Sequence, residues 1–419
     1  MGQNDEVVKS LLSGQGRSIP LFKVFMPESV LEALREVLFS GYIGEGPRVE
    51  EFERQLAPWF GNDQVLALNN GTAALHLALR LAGVGPGDEV ISTPMTCSAT
   101  NEPILAHGAK IVWADIDPWT ANIDPASVAP RITPRTKAIM CVHWGGYPCE
   151  LEALNALAAA HGIPLIEDAC HAFGATYHDQ PIGSHSDFVC FSFQAIKHMT
   201  TVDGGALVCK SRADCERGRL LRWYGIDRQG KRKDLRCEAD IAEYGYKFHM
   251  NDVTAAIGLE QLKYVAETLA QHRRHAARFN EALGGLQTIR PLRYATDRWS
   301  SHWLYTIRVR DRAAFMAHME KAGVTVSQVH ARNDRHTAFK ESRAPLPGVD
   351  EFAAEQVSIP VGWWLTEQDL ATIIAALLDY EHARRPAIRS VARLQGEPRS
   401  VVSPETGPDK SRIARSGRL

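Results

Sequence analysis

The chain has 419 residues, of which 45% are hydrophobic and 23% charged, as in a globular protein with room for two or three domains. Its formal net charge of −2 argues against general binding to nucleic-acid phosphates, because proteins that do so carry a large positive excess. The acidic start of the chain, and the lack of any apolar run near the ~20 residues that span a bilayer, lead us to expect neither a signal peptide nor a membrane span.

The eight cysteines form no CxxC pair, so the spacing typical of zinc sites is absent and we expect no metal. Several lie in apolar runs typical of strands, such as Cys141 in AIMCV and Cys190 in FVCF. Buried, reduced thiols are the simplest interpretation, and they predict a cytoplasmic location.

The first part of the chain, residues 1–50, is predicted to be a helical arm and a loop in which Gly41, Gly44 and Gly46 interrupt the periodicity. From residue 64 to 210, short β-rich runs alternate with Ala- and Leu-rich helical runs. The predicted strands are residues 64–68, 89–92, 110–114, 138–142, 165–167 and 188–191, and the predicted helices are 72–82 and 151–161. This alternation predicts a mostly parallel sheet of the α/β class, with ligands at the carboxyl ends of its strands.

A second region follows a long helix predicted over residues 253–275. It contains a predicted strand at 303–308 and predicted helices at 313–321 and 367–378. We therefore predict a smaller C-terminal α+β domain.

The predicted domains accordingly are a large α/β domain over residues 51–255 and the small domain over 256–385. Residues 386–419 are rich in Arg and Lys among Pro, Ser and Gly, which predicts a basic, disordered tail. Contact of this tail with an anionic surface is the alternative.

Polar residues follow three of the predicted strands. The first group is Asn69-Asn70-Gly71-Thr72, which opens an apolar helix. Gly71 allows close approach of a ligand, and the free N–H groups of a helix start suit a phosphate. An ordinary turn with a capping residue is the alternative.

The second group is Glu167-Asp168-Ala169-Cys170-His171, in which two carboxylates end an apolar strand. Asp168 could hold a positive charge there, such as a protonated ring nitrogen. An Asp that only caps the following turn is an equally good interpretation.

The third group surrounds Lys197, which follows an apolar strand that ends near Ser192. Desolvation disfavours the charged form of a lysine, and a neutral amine is a nucleophile for Schiff-base chemistry. A surface lysine is the alternative. A phosphate cradle, a carboxylate and an amine are together the protein groups that pyridoxal 5′-phosphate (PLP) requires.

The runs NNGTAALHLAL, GPGDEVISTP, IEDACHAFGA and FSFQAIKHMTTVDGGAL resemble the DegT/DnrJ/EryC1/StrS family of PLP-dependent sugar aminotransferases, in order and at the family's spacing, over about residues 20–380. The resemblance implies PLP fold-type I, the aspartate aminotransferase type. It also implies that Lys197 binds the cofactor covalently, that Asp168 pairs with the pyridine nitrogen and that His171 lies over the phenolic oxygen. The residues implied to hold the phosphate are Gly71, Thr72 and Ser192.

The activity implied by the resemblance is transfer of an amino group from Glu or Gln to a nucleotide-linked keto (deoxy) sugar. Such a reaction serves amino-sugar biosynthesis for polysaccharide, lipopolysaccharide or a glycosylated metabolite. The family's homodimers share their active sites between subunits. The alternatives are a PLP-dependent sugar dehydratase, in which the family replaces the lysine with His, and a non-catalytic PLP-binding regulator.

Two positions depart from the family pattern in the cofactor site. Cys97 stands where an aromatic ring usually stacks on the cofactor, and Trp144 is either a replacement or a core residue. Lys247 stands where an Asn usually reaches the phosphate bound by the partner subunit. A lysine can bind phosphate as a point charge, and an interface lysine without a ligand is the alternative.

The substrate contacts implied by the resemblance are less specific. His330 lies in QVHARNDRH, which only partly fits the family's His-rich substrate loop. Tyr42, in the loop of the N-terminal arm, and Arg228 are the other candidates for substrate binding, and packing or surface roles are their alternatives.

Overall fold

A computed structural model describes residues 18–228 and 240–395. The strands are β1 (Val65–Leu68), β2 (Glu89–Ser92), β3 (Lys110–Trp113), β4 (Thr136–Val142), β5 (Leu165–Asp168), β6 (Thr176–Tyr177), β7 (Gln180–Pro181), β8 (Phe188–Ser192), β9 (Gly205–Cys209), β10 (Ile289–Pro291), β11 (Arg298–Trp299), β12 (Tyr305–Val309) and β13 (Gln356–Ile359). The helices are α1 (Val30–Phe39), α2 (Pro47–Phe60), α3 (Gly71–Leu81), α4 (Ser98–Ala106), α5 (Pro125–Val128), α6 (Leu151–His161), α7 (Arg212–Leu221), α8 (Asp252–Leu262), α9 (Val265–Leu283), α10 (Arg312–Lys321), α11 (Pro347–Glu355) and α12 (Glu367–Gln395).

Seven strands form the central sheet, in the order β1-β9-β8-β5-β4-β2-β3. β2, β3, β4, β5 and β8 pair in parallel, and β9 runs antiparallel between β8 and β1. The α/β class and fold-type I are thus confirmed. β4 reads TKAIMCV and is almost wholly buried, because helices cover both faces of a parallel sheet.

Alternation along the strands divides the core into two layers. Leu165 and Phe191 belong to the hydrophobic cluster on one face, and Ile166 and Cys190 belong to the cluster on the other. Because side chains alternate with a period of two, Asp168 lies on the same face as Ile166, where α3 also packs. The neighbouring Glu167 lies on the opposite face.

A second, antiparallel sheet has the order β10-β12-β13, and α9, α10 and α12 enclose a separate hydrophobic cluster with it. A third small sheet joins β11 to the hairpin β6–β7. The domain boundaries given above stay a prediction.

Two predicted elements differ from the structure. The single helix predicted over residues 253–275 is two helices, α8 and α9, which are separated at Lys263 and Tyr264. The last helix continues to Gln395 and so includes the first ten residues of the predicted tail, and residues 396–419 lie outside the described residues.

The described cysteines, which leave out only Cys237, are free thiols. In the described ranges, no helix is long and apolar enough to cross a membrane. Within the same ranges, no group of three or more His, Cys, Asp or Glu side chains is placed to hold a metal ion.

Candidate active site

The carboxyl ends of β5 and β8 bring an acid and an amine to the same edge of the sheet. Asp168 ends β5, and Lys197 follows five residues after Ser192, which ends the paired strand β8. Burial lowers the pKa of the half-buried Lys197 amine to about 8, while the charges of Cys170, Asp168 and Cys97 act in the opposite direction. An amine with such a pKa is partly neutral near physiological pH, which a nucleophile or a proton carrier requires.

A chain of hydroxyl groups fixes the buried carboxylate of Asp168. Oγ1 of Thr100 donates to Asp168 Oδ2 at 2.6 Å, and the backbone N–H of Cys170 donates to Oδ1 at 3.1 Å. Because the Thr100 proton is used there, the hydroxyl of Thr96 donates to Thr100 Oγ1, 2.8 Å away. The carboxylate is therefore held in one orientation, as a partner for a cation requires. The other strand-end carboxylate, Glu167, pairs instead with buried His143, at 2.8 Å.

A cradle suited to phosphate lies at the start of α3. Asn70 caps this helix, with Oδ1 accepting from the N–H of Ala73 at 2.7 Å. A Cβ at Gly71 would lie 2.8 Å from Cβ of Ser192 and 3.0 Å from Sγ of Cys170, so only glycine fits. The helix N-terminus, the half-buried Thr72 beside it and the Ser192 hydroxyl thus meet at one point, and these donors fit a phosphate group.

An aromatic stack lies beside the amine. The ring of buried His171 packs on the indole of Trp303, with centroids 4.0 Å apart and planes 24° from parallel. Burial and then the charge of Lys197 hold the pKa of His171 well below its usual value. Nδ1 of His171 is buried and has no hydrogen-bond partner in the described part of the chain. This neutral imidazole fits a position beside an aromatic cofactor.

Trp303 was not predicted as a site residue. Nζ of Lys197 lies 3.5 Å from its ring centroid, and its indole N–H donates to the carbonyl of Ile196 at 2.8 Å. In the sequence it is only a Trp at the start of a predicted strand, with no motif around it. Only the fold brings it to Lys197.

His330 joins the same stack. Its ring is 3° from parallel to His171, with centroids 5.4 Å apart. Burial and then the charge of Lys197 lower the pKa of His330 to about 4. The structure thus places this predicted substrate contact near the amine.

A pair of buried amides fixes the loop that carries His330. Nδ2 of Asn101 donates to Oδ1 of Asn333 at 2.8 Å, and Nδ2 of Asn333 donates to the carbonyl of Thr96 at 2.8 Å. This loop is therefore attached to the segment that supplies Thr100 to Asp168. Neither Asn was predicted, because a lone Asn is an ordinary loop residue.

Cys97 and Trp144 occupy different surroundings. Cys97 directly precedes α4 and is half-buried, near enough to Lys197 to interact electrostatically with the amine. Trp144 is a core residue whose indole N–H donates to Oγ1 of Thr306 at 3.1 Å, and its ring meets His330 edge-on.

Tyr42 and Arg228 contact each other away from the amine. Nη2 of Arg228 donates to the Tyr42 hydroxyl at 3.1 Å, and the hydroxyl donates to the carbonyl of Glu45 at 2.6 Å. Both line an open surface cleft of about 1270 Å³. In the described residues, no contact joins either side chain to Lys197.

Lys247 lies beside the strand that leads to the cradle. Its carbonyl accepts from Nδ2 of Asn69 at 3.1 Å, and its side chain is exposed. Over the described ranges, its amine makes no hydrogen bond or ion pair with the cradle of its own chain.

Comparisons with known proteins agree with this geometry. The model of the DegT/DnrJ/EryC1/StrS aminotransferase family matches residues 26–378. The spore coat polysaccharide biosynthesis protein SpsC of Bacillus subtilis (strain 168) is 33% identical over 366 residues, which cover 83% of this chain and 93% of SpsC.

Solved structures are similar over the same part of the chain. The sugar aminotransferase CalS13 from Micromonospora echinospora is 42% identical with a TM-score of 0.83, covering 86% of this chain and 99% of that chain. The PMP-form of Spr1654 from Streptococcus pneumoniae is 29% identical with a TM-score of 0.79, covering 85% of this chain and 98% of that chain. Spr1654 has also been solved in a PLP-form.

Three neutral histidines lie behind the amine. The rings of His198 and His272 are 4.7 Å apart, and Nδ1 of His272 bonds to the carbonyl of His302 at 2.9 Å. Burial lowers all three pKa values: that of His272 to about 4, that of His302 to about 3 and that of His198 well below its usual value. The neutral forms therefore belong to the folded state.

We predict that acid destabilises the fold through these histidines. Their folded pKa values lie below the unfolded value of about 6.5, so their contribution is complete above that pH and falls as pH drops toward 4. For His272 and His302, whose pKa values are about 4 and about 3, the loss is about 2 kcal/mol each between pH 7 and pH 5. Urea unfolding at a series of pH values between 7 and 5 measures this loss of folding free energy. His272→Gln should make the free energy of unfolding depend less on pH, whereas His161→Gln, at an exposed position of α6, should leave its pH dependence unchanged. Equal pH slopes in both variants would contradict the assignment.

Proposed function

The chain belongs to the DegT/DnrJ/EryC1/StrS aminotransferase family and is a PLP-dependent aminotransferase, and on that premise we propose that it transfers an amino group from Glu or Gln to a nucleotide-linked keto (deoxy) sugar. The observation that carries the proposal is the meeting of the Lys197 amine, the fixed Asp168 carboxylate and the cradle at Gly71 on one edge of the sheet.

The residues that would hold PLP follow from these positions. Lys197 would bind it covalently, and Asp168 would pair with the ring nitrogen. Gly71, Thr72 and Ser192 would hold the phosphate, with His171 over the phenolic oxygen and Cys97 nearby. When bound, PLP supplies an electron sink that accepts the electron pair left on the α-carbon of an amino acid when its α-proton is removed.

Protons are then moved by groups of the chain itself. Lys197, with a pKa near 8, would accept a proton from the α-carbon of the amino donor and would donate it to the cofactor carbon that keeps the amino group. Asp168, which Thr100 orients, would stabilise a positive charge on the ring nitrogen throughout the reaction. His171 stays uncharged, because burial and the nearby Lys197 disfavour its protonation.

The sugar acceptor is supported by the relatives. SpsC is named for spore coat polysaccharide biosynthesis and CalS13 is a sugar aminotransferase, so a polysaccharide, a lipopolysaccharide or a glycosylated metabolite is the proposed destination of the product. Lys197 itself favours amino transfer over sugar dehydration, and its place beside Asp168 at one edge of the sheet argues against a non-catalytic regulator. The predicted cytoplasmic location stays a prediction.

We predict that Lys197→Ala abolishes amino transfer. Wild type, Lys197→Ala and Lys210→Ala, an exposed lysine after β9, are each incubated with PLP, Glu or Gln and a panel of keto-sugar nucleotides. Mass spectrometry should find amino sugar with wild type and Lys210→Ala only, and borohydride should fix a pyridoxyl group on the Lys197 peptide. Turnover by Lys197→Ala, or an adduct on another lysine, would contradict the proposal.

We also propose a homodimer that completes the site. Helix α1 and the loop after it expose Leu31 (74%), Phe39 (83%) and Ile43 (53%), an apolar surface beside the cleft that contains Tyr42 and Arg228. A second copy covering this surface would bury it and would bring these loops to the partner's site. Lys247, exposed near the cradle, would act across the same interface.

We predict that Phe39→Asp weakens this dimer, because it places a charge in the apolar surface. Light scattering coupled to gel filtration should find dimers for wild type and a shift to monomer for the variant, with cofactor lost on dilution. The control is Trp299→Asp, which changes an equally apolar, 61% exposed residue on β11. A monomeric wild type, or a variant that stays dimeric, would contradict the proposal.

A further inference from the structure

Both neighbours of Lys197 are held by one short segment, residues 301–303. The indole N–H of Trp303 donates to the carbonyl of Ile196 at 2.8 Å. On the other side, Nε2 of His198 donates to the carbonyl of Ser301 at 2.9 Å. This segment leads into β12, so the second sheet holds both residues that flank Lys197, Ile196 by its carbonyl and His198 by its side chain.

The face of the Trp303 ring is the surface that the amine meets. Nζ of Lys197 lies 3.5 Å from the ring centroid, well within the ~6 Å at which an indole face attracts an ammonium group. Stacking with His171 and with Phe22, whose ring centroid is 5.4 Å away, fixes the ring. Trp303 is only 3% exposed, so little water competes for the amine there.

We propose that Trp303 is a positioning residue for Lys197, and that its indole face holds the amine whenever the amine is not bonded to the cofactor. The inference rests on the proposed role of Lys197. It assigns two tasks to one side chain: the indole N–H fixes the backbone before Lys197, and the ring face stabilises the charged amine. A tryptophan that only fills the core would do neither.

Several other groups face the amine, and they set the background for any test. Asp168 and Cys170 approach it from β5 and the loop after it, and Cys97 from the residue before α4; all three favour the charged amine. His171 and His330 are neutral and act as apolar neighbours. A change at Trp303 must therefore be measured with these five residues intact.

Two substitutions separate the two tasks. Trp303→Phe keeps an aromatic face and loses the indole N–H, whereas Trp303→Met loses both. Trp113→Phe is the matched control, because Trp113 is equally buried and its ring packs edge-on against Phe339. Fluorinated tryptophan at position 303 alone weakens the negative charge on the ring face and keeps the shape of the side chain. It therefore tests the ring face while the rest of the chain is unchanged.

The experiment uses enzyme loaded with pyridoxamine 5′-phosphate, which leaves the lysine unbonded. Acetylation of Lys197 by acetic anhydride is measured against pH by peptide mass spectrometry, with Lys210 as internal reference. Trp303→Met and fluorinated enzyme should lower the midpoint pH for Lys197, the Met variant by about half a unit or more. Trp303→Phe should stay within a few tenths of wild type, as should Trp113→Phe.

An unchanged or raised midpoint in Trp303→Met overturns the proposal, and if that variant does not fold, an unchanged midpoint in the fluorinated enzyme does so. Failure of the proposed function would look different. In that case borohydride would leave no pyridoxyl group on Lys197 of wild type, whatever the acetylation midpoints.

Discussion

The meeting of a desolvated amine and a fixed carboxylate at the ends of two paired strands is the constraint on which the rest of the site depends. Burial alone favours the neutral form of Lys197, and electrostatic interactions with Cys170, Asp168 and Cys97 oppose that effect. As a result, the amine is present in both its neutral and its positively charged form near neutral pH. A parallel sheet provides this arrangement because the carboxyl ends of neighbouring strands meet at one edge.

The groups with chemical roles are few, and each is held by residues that react with nothing. Thr100 orients Asp168, and the pair Asn101–Asn333 attaches the loop of His330 to the segment that carries Thr100. Residues 301–303 hold the carbonyl of Ile196 and the side chain of His198, the two residues that flank Lys197. The large sheet and the three-stranded sheet thus position one site together.

Much of the cofactor site was predictable because it depends on local pattern. Strand periodicity located the end of β5 at Asp168 within one residue, and the Gly71 run marked a position where the structure leaves no room for a Cβ beside Ser192. The break between α8 and α9 was missed, because the apolar period continues through Lys263. Trp303 was missed for a different reason: its partner Ile196 is 107 residues away, and only tertiary packing brings them together.

The most direct measurement of the central claim is the donor half-reaction without any sugar. Enzyme loaded with PLP is mixed with Glu or Gln, and the oxo acid released is counted against bound cofactor in wild type and in Asp168→Asn. The account predicts one equivalent of oxo acid per site in wild type. It predicts a much slower release of oxo acid in the variant, because the amide of Asn cannot stabilise a positive charge on the ring nitrogen. Release at the same rate in both proteins, or none in wild type with either donor, would contradict it.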